Sequence, residues 1–226
     1  MSKMTIIFLV FCAFSQCFSQ QQLRSEMGDV YYDPLLYNKN YNGTQGSPYL
    51  NEKFELAQIN DINGAKLVRF DAFMGRVEIK QLGKVIFLRE SESFIIKMKN
   101  GSDKIYETHQ YLEKGKNLKT SFFEVRNSTD NYDLYYQNKI KFFKEVKAQG
   151  YSKREPAQFR EVKGAYFIND FINKSEVLIK IPSKKRKFLE LFSDKSKKFE
   201  KYMKNKNFDL SNLKDLVSIL NFYFEN

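Results

Sequence analysis

The chain has 226 residues, 42% of them apolar and 16% aromatic, with 22 Phe, 14 Tyr and no Trp. That is enough to bury one substantial core, so disorder over most of its length is excluded. The formal charge of +11 favours an anionic partner, although Lys spread along a chain is also an ordinary solubilising device.

Residues 1–19 read as a cleavable signal peptide. Lys3 is followed by an apolar run from Ile6 to Phe14, about half the ~20 residues needed to span a bilayer. Cys17 and Ser19 stand at −3 and −1 of a cut between Ser19 and Gln20. The flanks of Cys12 and Cys17 suit lipidation poorly. Both cysteines of the chain lie in the segment to be removed, so the mature protein is expected to have no thiol chemistry and no disulfide. Export to the periplasm or outer membrane of a bacterium follows as the expectation.

Residues 20–48, rich in Gln, Asn and Gly, read as an extended arm that Tyr31, Tyr32 and Tyr37 could pin to the body. Residues 49–182 read as an antiparallel β domain. Asn63-Gly64 and Asn100-Gly101 are hairpin signals, and Gly83 marks a turn. Arg76-Val77-Glu78-Ile79-Lys80 alternates cleanly between polar and apolar. Strands are expected at 67–70, 76–80, 85–88, 94–98, 105–112, 122–126, 134–137, 139–146, 165–168 and 177–181. Their spacing, with no helices between, argues for a meander: a sandwich, an open barrel or one curled sheet.

After Pro182-Ser183 the period changes. Three short helices are expected over 183–226, with Ser183, Ser193-Asp194 and Ser211 as caps, docked on the sheet.

Candidate sites are few. His109, the sole histidine, excludes most zinc chemistry, and an ordinary strand position accounts for it. Glu90, Glu92, Glu107, Asp130 and Asp133 supply carboxylates for a hydrolase, but nothing in their spacing brings two together. No phosphate loop, nucleophile elbow or zinc-protease motif occurs, and no cofactor is implied. Lys184-Lys185-Arg186-Lys187 opens a helix, where cations oppose the dipole. That run is the candidate contact for an anionic partner, against the plainer reading of a solvated face. Aromatic and basic residues at 135–143 loosely suit nucleic acid, but an exported protein rarely meets it, so nucleic acid is not an expected partner.

Glu176-Val-Leu-Ile-Lys-Ile181, Ser183-Lys-Lys-Arg-Lys-Phe-Leu-Glu-Leu-Phe192, Phe199-Glu-Lys-Tyr-Met-Lys-Asn-Lys206, Leu213-Lys-Asp-Leu216 and Asn221-Phe-Tyr223 together resemble the closing segment of a group of uncharacterised exported proteins of Bacteroidota. Gly46-Ser-Pro-Tyr-Leu-Asn-Glu-Lys-Phe54 is similar to their opening. The resemblance implies a cell-envelope location and carries no activity. The expected function is a non-enzymatic envelope binding or accessory protein, contacting an envelope protein complex or an anionic surface such as membrane. The alternative is a carboxylate-dependent hydrolase of envelope glycan or lipid.

Overall fold

A computed structural model describes residues 41, 43–60, 62–88, 93–113, 117–148, 153–170, 175–192, 197–205 and 208–225. The expected signal peptide, Tyr31, Tyr32, Tyr37, Glu90, Glu92 and the Ser193-Asp194 cap lie outside them. Among the described residues the chain is mainly β, with ten strands in one sheet and three C-terminal helices.

The strands are β1 (Glu55–Ile59), β2 (Lys66–Asp71), β3 (Arg76–Gln81), β4 (Lys84–Phe87), β5 (Ile95–Met98), β6 (Ile105–Glu113), β7 (Asn117–Ser128), β8 (Asp133–Phe143), β9 (Gln158–Asp170) and β10 (Ser175–Lys180). The helices are α1 (Lys185–Leu191), α2 (Lys197–Asn205) and α3 (Leu213–Glu225). Spatial order is β10-β9-β8-β7-β6-β5-β1-β2-β3-β4. Every pairing in that series is antiparallel, as expected, but β5 lies against β1 and not β4, so the chain crosses over once and is not a meander throughout. The exception is a further pairing: β10 lies parallel to β6, with Val177 opposite Gln110 and Leu178 opposite Tyr111. The sheet is therefore mixed. β6 to β10 close on themselves into a five-stranded barrel, which leaves no free edge on that side. An odd number of meandering strands must close with a parallel pair.

Alternation places the cores. β1, β2, β3 and β5 bury Ala57, Ile59, Val68, Phe70, Val77, Ile79, Ile96 and Met98, and these pack against the outer face of the barrel at Tyr106, Phe122, Ile140 and Phe159. Inside the barrel each strand supplies one buried hydrophobic side chain, Tyr111, Phe123, Tyr135, Phe167 and Leu178, with Val125 and Ala165 packed against them. Their rings meet edge to face, Phe123 and Phe167 at 5.0 Å and Tyr111 and Phe167 at 5.5 Å. Such pairs add about 0.5–1.5 kcal/mol each beyond area burial. On a third side the helices bury Phe188, Met203, Leu216, Ile219 and Tyr223 against Leu134 and Ile168 of the sheet and against Tyr132 and Ile181, which flank β8 and β10. The Tyr132 hydroxyl fixes this junction, donating to Asn221 Oδ1 at 2.6 Å and accepting from Asn127 Nδ2 at 2.9 Å.

Several local expectations are corrected. The predicted strands 134–137 and 139–146 are one strand, β8, running through Asn138. β9 starts seven residues before the predicted strand at 165, with an irregularity beside Gly164. Ser183 does not cap α1; the N-cap is Lys184, which offers no side-chain acceptor. The start of α3 is capped by Asn212, whose Oδ1 accepts from Lys214 N at 2.9 Å. Ser211 instead donates to Asp209. The β3–β4 turn places Leu82 and Gly83 both at positive φ (49° and 77°), the geometry of a two-residue hairpin whose twist matches its strands.

Candidate functional site

The outer face of β8 and β9 does not meet the helical layer along its whole length. Where β10 runs out into α1, an open cleft of about 490 Å³ remains. It is large enough for a sugar or a headgroup.

Its floor is made by an irregularity in the ladder. Between β8 and β9 the register slips: Gln137 faces Ala165, but Lys139 faces Val162. β9 thus carries one extra residue at Lys163-Gly164, a bulge. A glycine is required there, because a Cβ would run into the Gln137 carbonyl and would lie 2.6 Å from Tyr136 Cζ. The Tyr136 ring lies over Gly164, and its hydroxyl accepts from the Gly164 N–H at 3.2 Å. Tyr166 sits beside it, ring centroids 4.9 Å apart. Burial pushes the Tyr166 hydroxyl above its ordinary range, so it stays neutral.

The rim is cationic. Lys163 comes from the bulge, Lys180 from the end of β10, Lys184 from the N-cap of α1 and Lys187 from its first turn. All four side chains are exposed. None makes an ion pair among the described residues. Ser183, Ser211 and the apolar Ile181, Pro182 and Leu210 complete the wall, and no described lining residue carries a carboxylate. Asp209 stands near Lys163, its carboxyl held below the usual range first by the Ser211 hydroxyl and then by the Ser211 N–H, at 2.6 Å and 2.8 Å.

Of the basic run singled out in the sequence, the structure brings Lys184 and Lys187 to the cleft. Lys185 turns away and donates to the Met203 carbonyl, tying α1 to α2. Arg186 pairs with Glu190 one turn on, at 3.1 Å. Sequence reasoning misses Lys163 and Lys180, since nothing in their spacing joins them to the α1 run. A glycine inside a strand, next to a lysine, is the one signal that marks the bulge.

The other candidates are explained by packing. Glu107 and Asp133 come to the same end of the barrel, both close enough to Tyr135 to perturb it. His109 Nε2 donates to Glu107 Oε2 at 2.8 Å, and the Tyr135 hydroxyl donates to the same oxygen at 3.0 Å. The His109 bond, with help from Tyr135 and against a burial penalty, holds the Glu107 carboxyl below the usual range. Burial pushes the Tyr135 hydroxyl well up, with Glu107 and Asp133 adding to it. A carboxylate stabilised as the anion by two donors is a poor general acid. This cluster satisfies polar groups at the barrel end. Asp130 is exposed on the β7–β8 turn. Among the described residues no group of three His, Cys, Asp or Glu could hold a metal ion. Nor is any described helix long and apolar enough to cross a membrane.

No family model, curated protein or solved structure matches this chain.

Proposed function

We propose that the chain is an exported, non-catalytic binding protein of the cell envelope. Its cleft takes a phosphate- or carboxylate-bearing envelope component, either a glycan or a lipid headgroup. The observation that carries this reading is the ring of Lys163, Lys180, Lys184 and Lys187 around two tyrosines, with no carboxylate among the described lining residues. Four like charges held together repel one another, and an anion between them relieves that repulsion. The two tyrosine rings, tilted 56° to each other, supply apolar surface beside the cations. The apolar run at residues 6–14 and the resemblance of both ends of the body to exported proteins support the location.

The test is titration of the mature chain with tripolyphosphate, a phosphorylated hexosamine and the neutral hexosamine, followed by calorimetry at two salt concentrations. The two charged ligands should bind, more weakly at high salt, and the neutral sugar should not. Lys180→Glu with Lys184→Glu should cost tenfold or more, about 1.4 kcal/mol or above. Equal binding of neutral and charged sugar, or indifference to charge reversal, refutes the reading. Fractionation of the source cells checks the location: recovery in the cytosol alone refutes export.

A further inference from the structure

We infer that the opposite end of the sheet, away from the cleft, seats on a lipid bilayer bearing anionic headgroups. Three separate segments meet there: the β2–β3 turn, the start of β7 and the end of β8. They leave Phe73, Met74, Leu118, Phe142, Phe143 and Val146 between 37% and 55% exposed. Single exposed apolar residues are normal, but a contiguous set is not. The Phe73 and Phe142 rings both pack on Phe159, at 5.3 Å and 5.1 Å. Met74 and Leu118 line one shallow cleft, and Leu118 faces Leu112, itself exposed, across the β6–β7 ladder. β8 is buried through Leu134, Tyr135, Gln137 and Ile140, but its last three residues, Lys141, Phe142 and Phe143, are all exposed.

The charges around this patch select the occupant. Lys119 and Lys139 are spent on Glu113, at 2.7 Å and 3.9 Å. Lys141, Lys144 and Lys147 are exposed and make no ion pair among the described residues. Lysine is depleted in protein–protein interfaces. It is favoured beside apolar side chains at a membrane surface, where the rings enter the boundary of headgroups and acyl chains and the ammonium groups stay among anionic headgroups. Aromatic and aliphatic tips carried on three segments, with lysines behind them that make no ion pair among the described residues, match a bilayer better than a protein partner.

Because the chain has no Trp, Phe142→Trp installs a single reporter. The full mature chain is mixed with vesicles of phosphatidylcholine, alone or with an equal part of phosphatidylglycerol, and read by co-sedimentation and indole emission. Binding to the anionic vesicles with a blue shift of the introduced indole is expected. Phe142→Ser with Phe143→Ser, and separately Lys141→Glu with Lys144→Glu, should each lower the bound fraction tenfold or more. Both pairs should leave far-UV dichroism and tripolyphosphate binding unchanged. The inference is overturned by no binding to anionic vesicles, by binding without a blue shift, or by binding that survives the Phe substitutions. Concentration-dependent dimerisation through this patch, abolished by the same Phe substitutions and unaccompanied by vesicle binding, also overturns it and assigns the surface to a second copy.

Discussion

Gly164→Ala adds one methyl group at the point where the cleft floor is built. The new carbon would meet the Gln137 carbonyl oxygen and lie 2.6 Å and 2.7 Å from Tyr136 Cζ and Oη. Carbon–carbon contact is comfortable at about 3.5–4.0 Å, so the ring must retreat by about 1 Å. The carbonyl belongs to a ladder partner and cannot swing away as a side chain could. Relief must come from prising β8 from β9, which overpacking studies place at about 1–3 kcal/mol. Moving the ring also loses the Gly164 N–H bond to the Tyr136 hydroxyl, about 1 kcal/mol more. The expected loss is about 2–4 kcal/mol. In urea, with a slope of about 2 kcal/mol/M, the midpoint should fall by about 1–2 M. Tyr136→Ala in the same chain should not restore it, because the backbone carbonyl remains. A Gly164→Ala midpoint within about 0.25 M of the parent, or full rescue by Tyr136→Ala, would show that the bulge is not confined as described.

Two further substitutions probe the charges. Arg69 lies 3.6 Å from the Tyr49 ring centroid and holds the buried Glu78 through Nε and Nη2 at 3.0 Å and 2.6 Å. Arg69→Met leaves that carboxylate buried without its cation and should cost about 3–5 kcal/mol, while Arg69→Met with Glu78→Leu should recover most of it; equal losses by urea denaturation in the single and double variants would contradict this. Glu107→Gln tests the barrel end. A carboxyl depressed in the folded state contributes stability above its ordinary value of about 4.3, and that contribution fades as pH falls through the lower folded value. Parent and variant should therefore differ by about 1–2 kcal/mol near pH 7, for loss of charge-assisted bonds, and converge below about pH 4; a gap that does not narrow in acid would rule out the ionised Glu107 as its source.

Much of the sheet was legible because burial on one face writes itself into a period of two. Ile96 and Met98 are buried while Ile95 and Lys97 are exposed, and the prediction over 94–98 follows directly. Three features were not legible. The parallel seam of β10 on β6 joins residues more than sixty positions apart, and no local pattern encodes that register. β8 reads as two strands because Asn138 is a weak strand former, yet paired neighbours on both sides override the propensity. The first half of β9, Gln158 to Lys163, mixes charges with apolar residues and then meets a glycine, which hides a strand and discloses a bulge only once the partner is known. The caps failed for a related reason. A serine before a helix is a candidate, but Asn212 and Lys184 occupy the N-cap positions where the chain actually turns. For the cleft, the α1 run gave two of four lysines; the others arrive from β9 and β10 through the tertiary fold.

What stands beside each lysine, rather than the excess itself, distinguishes a candidate contact from a solubilising residue. Through the sheet, acids are spent on cations: Glu78 on Arg69, Glu113 on Lys119 and Lys139, Glu124 on Lys104 and Arg126, Glu145 on Arg154. Exposed pairs of this kind contribute little stability each, but they cancel charge where they stand. Among the described residues, exposed lysines without an ion pair also stand elsewhere, at Lys53, Lys80, Lys84, Lys97 and Lys99. What sets apart those around Gly164 and Tyr136, and those behind Phe142 and Phe143, is the tyrosine or exposed phenylalanine surface beside them. On the proposed reading, lysines that make no ion pair among the described residues and stand beside apolar surface suit an anion that also offers an apolar face, and both a phosphorylated sugar and a lipid surface answer that description.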